Sequence, residues 1–152
     1  MRTVGVNCDP RRALLAVAED GGILDGYPEK LEPSAGLDDG ERLVAFIDDG
    51  RRAFSAIAPE RVALLLPEAS GRGSTHARLS PRVVIETLVR VAAANQGIPL
   101  QLMSRPTLRS ALNLPKSGTL EDHLDAVGDP IGTFWSTGRG LAALAALAAG
   151  AI

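Results

Sequence analysis

Apolar residues open the chain in three short runs, Val4 to Cys8, Ala13 to Ala18 and Gly22 to Leu31, cut apart by the tetrapeptides Asp-Pro-Arg-Arg and Glu-Asp-Gly-Gly. Proline, glycine and aspartate between apolar runs are turn chemistry, so the pattern predicts a meander of three strands. Pro28 lacks the amide a central strand would donate, which puts the third strand at a sheet edge. From Asp39 to Ala58, Leu43, Val44, Ile47, Phe54 and Ile57 recur at helical spacing, with a break expected near Asp48-Asp49-Gly50 and Pro59 as the stop. The run RVALLLP, residues 61–67, is apolar without alternation, as in a strand buried on both faces. It is the expected central parallel strand, with Val62 to Leu66 nearly inaccessible.

Residues Glu68 to Leu79 show no period and predict a long loop. Ser80-Pro81 then supplies an N-cap and a first-turn proline, with Val84, Leu88, Val91 and Asn95 as the expected buried stripe and Gly97 as the close. A strand follows in IPLQLM, and three helical segments in Pro106 to Leu112, Thr119 to Val127 and Ser136 to Ala149. The order is three strands, helix, strand, helix, strand and then helices. This is an α/β arrangement without internal repeats.

At 152 residues and 45% hydrophobic composition, the expectation is one domain over residues 1–152. Sixteen basic residues against 18 acidic ones give a net charge of −2, so nucleic acid would have to be held by a local patch. Cys8 is the one cysteine, which excludes an internal disulfide and a cysteine-rich zinc cluster and suggests a reducing, cytoplasmic setting. No leader pattern stands at the start, and no apolar run reaches the roughly 20 residues that span a bilayer, so no membrane is expected. Aromatic residues are 3% of the chain, too few for a stacking platform on single-stranded nucleic acid.

A three-strand meander followed by alternating helices and strands resembles the ribonuclease H-like fold, a mixed five-stranded sheet flanked by helices. The details are similar to its Holliday junction resolvase branch, the RuvC-like proteins. Gly5-Val6-Asn7 matches that branch's glycine, aliphatic residue and aspartate on strand one, with Asp9-Pro10 following. VALLLPE matches its apolar central strand ending in glutamate, and NQGIPLQLM with SRPTLRSALNLP matches the strand and segment further on.

The resemblance implies two divalent ions held by carboxylates at the ends of strand one and the central strand and on the last helix. Mg²⁺ takes oxygen ligands, and two ions about 4 Å apart stabilise the attacking and leaving oxygens of a phosphodiester. Here the strand-one position is the neutral Asn7, and Asp9 lies two residues, roughly 6.6 Å, farther along. Asp9 before Pro10 is also ordinary turn chemistry. Glu68 is the best-placed acid, at the end of the central strand. The last helix has no acid, and Gly138, Arg139 and Gly140 stand where the resemblance implies metal ligands, leaving Asp122, His123, Asp125 and Asp129 one helix earlier.

Two readings follow. In the leading one the metal site is degraded, no cofactor is needed, and the protein is a binding or scaffolding subunit whose partner is a protein or a second copy, with nucleic acid as a further candidate. In the alternative it is a Mg²⁺-dependent nuclease of structured DNA or RNA, with Asp9, Glu68 and Asp125 as catalytic residues and Asp9, Glu68 and Asp122 as metal ligands. Arg72, Arg78 and Arg139 are the candidate nucleic-acid contacts, Arg139 being near enough in the expected fold to pair with Glu68. Ser-Gly-Arg-Gly-Ser at residues 70–74 suggests a small phosphate nest. Arg11, Arg12, Arg105 and Arg109 flank the strand ends. The apolar face of Leu141, Leu144 and Leu147 suggests either burial between layers or a docking surface. Nucleotide-binding relatives of this fold use two copies around a cleft, which one chain of this length does not build.

Overall fold

The computed structural model describes residues 1–35, 38–68 and 76–152, with backbone alone for 76–80. Strands β1 (Thr3–Cys8) and β2 (Ala13–Glu19) pair antiparallel, and β5 (Arg61–Leu65) and β6 (Leu100–Met103) continue the sheet in parallel on the other side of β1. The predicted third strand is two short ones, β3 (Gly22–Leu24) and β4 (Lys30–Leu31), both paired to β2. The turn and Pro28 interrupt it, and the edge placement holds. The mixed sheet runs β3-β2-β1-β5-β6 with β4 beside β3 on the same edge. Val62 to Leu65 are fully buried in its centre, and Leu66 is half-buried.

Helix α1 (Asp39–Ile57) is capped by the Asp38 carboxylate, which accepts from the Glu41 amide at 2.8 Å, and closes at Ala58 in the left-handed region. It is unbroken at Gly50. A Cβ there would stand 2.9 Å from that of Ala92, so this glycine serves close approach of two helices, not a kink. Helix α2 (His76–Asn95) begins before the predicted cap, and Pro81 lies inside it. Proline there gives up one backbone bond without ending the helix. Its buried stripe is Ile85, Leu88, Val89, Ala92 and Ala93, while Val84 and Val91 are exposed. Both stripes have helical spacing. The observed one is fuller, and it carries Glu86 inward, where Arg82 pairs with it at 2.8 Å and also donates to the Leu65 carbonyl at 3.3 Å.

The sheet's two faces are built differently. Val4, Val6, Cys8, Leu15, Val62 and Leu64 pack under α1 and α2 against Phe46, Phe54 and Ile57. Burial, with Glu86 nearby, pushes the Cys8 thiol up to about 12. On the other face Ala63 and Leu65 meet helix α4 (Arg139–Ala151), together with α3 (Arg105–Ala111) and a 3₁₀ segment over Glu121–Val127. The α4 axis comes so near β1 that a Cβ on Gly5 would overlap the Ala142 carbonyl and stand 2.7 Å from the Ala146 amide nitrogen. From Gly140 to Ala149 every α4 residue except Leu147 is buried by the rest of the chain. Of the two readings of α4, burial between layers describes Leu141 and Leu144, while Leu147 is half-buried. Among the described residues no helix is long and apolar enough to cross a membrane.

Candidate functional site

Alternation along β1 sends Thr3, Gly5 and Asn7 to the α4 face. In register, Asn7 lies between Leu14 on β2 and Leu65 on β5. Its Nδ2 donates to the Gly138 carbonyl at 3.0 Å, and its buried Oδ1 has no partner among the described residues. Gly138 is left-handed, with φ 123°, and a Cβ on it would sit 3.0 Å from Asn7 Nδ2 and 3.1 Å from Leu14 Cδ1. Glycine is what lets the start of α4 close over the strand end.

Arg139, the next residue, is 2% exposed. Its Nε donates to the Leu15 carbonyl at 2.8 Å, one terminal nitrogen donates to the Ile131 carbonyl, and the guanidinium pairs with Glu29 at 3.5 Å. Burial lowers its pKa, while Glu29 and Asp25 act in the opposite direction. Glu29 accepts from the Thr133 hydroxyl and, at 3.1 Å, from the Thr133 amide. The hydroxyl bond is the largest influence and holds its carboxyl below the usual range; burial, the next, opposes it, and the amide bond and the Arg139 charge add to the lowering. The expected contact of Arg139 with Glu68 or a phosphate is replaced by this internal network.

The acidic candidates lie apart. Asp9 accepts from the Arg11 and Arg12 amides at 2.7 and 3.0 Å and pairs with Arg12 at 3.4 Å, ordinary work for a turn aspartate. It borders a surface hollow with Arg11, Arg12 and Glu32. Glu68 is exposed beyond β5 and borders a different opening. Asp122 accepts from the Thr119 amide at 2.7 Å, which holds its pKa down, and Asp125 is exposed on the same 3₁₀ segment. Among the described residues no three Asp, Glu, His or Cys side chains converge as a metal site. Arg72 and the nest at 70–74 lie outside the described residues, as do the side chains of His76 and Arg78.

The opening beside Glu68 is a cleft of about 800 Å³ at the carboxyl ends of β5 and β6. Leu66, Pro67, Pro106 and Leu114 form its apolar walls, and Arg105, Arg109 and Lys116 bring positive charge. Arg109 donates to the carbonyls of Pro115, Ser117 (3.4 Å) and Gly118 (2.6 Å), tying the loop at 113–118 in place. The i, i+4 arginines after the last strand signalled this region in the sequence. Lys116 and Leu114 carried no such signal, because the loop's fold brings them in.

No family model matches the sequence, and no curated protein matches it. In fold, two solved structures of RuvC from Thermus thermophilus are similar to the chain, one of them in complex with a Holliday junction substrate. Each gives a TM-score of 0.73 over 99% of this chain, at 16% identity and 93% of the RuvC chain for the complex, and 18% and 94% for the other. The chain has the RuvC fold. In that fold, the described residues at the end of β1 are not a set of carboxylates. Asn7 is neutral and turns its donor to Gly138, its cross-strand neighbours are leucines, and Arg139 adds positive charge nearby.

Proposed function

We propose that this protein is a RuvC-fold binding subunit that engages structured nucleic acid without cutting it. The observation that carries the reading is the end of β1, where an amide bonded to Gly138 stands between Leu14 and Leu65. A two-ion phosphodiester site needs several converging carboxylates there. The kind of ligand is suggested by the RuvC structure bound to a Holliday junction.

The test pairs a binding titration on four-way junction, duplex and single-stranded DNA and RNA with a cleavage assay in Mg²⁺ and Mn²⁺. The expected result is junction binding that weakens with salt, and no cleavage above background. Metal-dependent cleavage that disappears in an Asp9→Ala, Glu68→Ala double variant would replace this reading with a nuclease. Absence of binding to every substrate would remove the nucleic-acid part and leave a protein scaffold.

A further inference from the structure

The cleft at the ends of β5 and β6 has a charge and shape suited to a small anionic ligand. Its lining carries Arg105, Arg109 and Lys116 against the single carboxylate of Glu68, a local excess of two positive charges in a protein whose net charge is −2. The three cations are not equivalent. Arg109 spends its donors on three backbone carbonyls, which fixes the wall bearing Leu114 and Lys116. Among the described residues Arg105 and Lys116 have no ion-pair partner, and Arg105 Nε is buried with no hydrogen-bond acceptor. A buried guanidinium nitrogen without an acceptor is costly unless something else supplies one. The apolar walls are contributed by both strand ends and the 113–118 loop, and about 800 Å³ falls in the range of small-molecule sites, roughly 300–1,000 Å³.

We propose that this cleft binds a phosphomonoester carried on a base-sized apolar body, as in a nucleoside monophosphate or the 5′-phosphate end of a strand. A phosphomonoester carries about −1.5 to −2 charges at pH 7, which matches the excess of the lining, and its oxygens suit the fork of Arg105 and the point charge of Lys116. The base lies against Leu66, Pro106 and Leu114. Glu68 accepts from a sugar hydroxyl or an amino group. This does not depend on whether the chain binds branched nucleic acid.

The experiment titrates AMP, GMP, CMP and UMP into the full chain, with adenosine and inorganic phosphate as the two halves of the ligand, following backbone amide shifts. At least one monophosphate is expected to bind tenfold or more tightly than either half, with shifts centred on residues 104–118. Arg105→Gln and Lys116→Gln should each weaken it about tenfold while circular dichroism stays unchanged; Lys116 is exposed, so its variant tests the idea even if Arg105→Gln unfolds. A 5′-phosphorylated trinucleotide binding tighter than the free monophosphate assigns the strand end as the source, and the reverse order assigns the free nucleotide. No preference for the phosphorylated nucleoside, unchanged affinity in a folded Lys116→Gln protein, or shifts lying outside the cleft would overturn the proposal.

Discussion

Two strand ends of one sheet, those of β1 and β6 on either side of β5, are built in opposite ways. At β1 the chain returns as α4, whose opening glycine lies against Asn7 and whose Arg139 is sealed beneath Glu29, so the strand end is a dry joint. At β6 the chain turns into the short α3, and Arg109 ties the following loop to that helix, beside a charged opening. The fold is the same at both ends. What differs is the residue that meets each strand tip, and that difference decides which end is available to a ligand.

The comparison is broken most severely by Gly5→Ala, which forces α4 off β1. The expected loss is about 3 kcal/mol or more, read by urea denaturation, because backbone and not a flexible side chain stands in the way. Next comes Asn7→Asp. A carboxylate facing the Gly138 carbonyl loses a donor and adds repulsion, for about 1–3 kcal/mol of destabilisation, and no Mg²⁺-dependent cleavage is gained. Cleavage by that variant would mean that the joint is one residue away from a working site.

Glu29→Gln tests the seal over Arg139, at a cost of about 1 kcal/mol near neutral pH. Because the folded carboxyl titrates below its ordinary value, its contribution is complete above the usual glutamate range and disappears as pH falls through the lowered folded value. Denaturation midpoints of the natural protein and the variant should therefore converge on acidification below about pH 4. The smallest effect belongs to the open end. Lys116→Gln should change stability by less than about 0.5 kcal/mol, since its side chain anchors nothing described here. A large loss would make the cleft another structural joint.

The strands were readable because their patterns are unambiguous: an unbroken apolar run in β5, and turn residues either side of β2. Structure and sequence pattern diverge where one pattern is compatible with two arrangements. Gly50 looked like a helix break, since sequence does not show that Ala92 needs the space. The α2 stripe was shifted because valines occur on both of its sides, and only the pairing of Glu86 with Arg82 under Leu65 marks the inward one. At the candidate site, Asn7 was identifiable as the residue at the strand tip. The fate of Arg139 was not, because its partners, the Leu15 and Ile131 carbonyls and Glu29, are contributed by distant segments with no shared motif.

The close seating of α4 on β1 also sets the order of events while the protein is being made. The face formed by Gly5, Asn7, Ala63 and Leu65 is complete once β5 has emerged, yet its cover is residues 139–151. Roughly 90 further residues must be translated first, a wait on the order of ten seconds at ordinary elongation rates. Until residues 139–151 are made, the face of Gly5, Asn7, Ala63 and Leu65 has no helix to cover it.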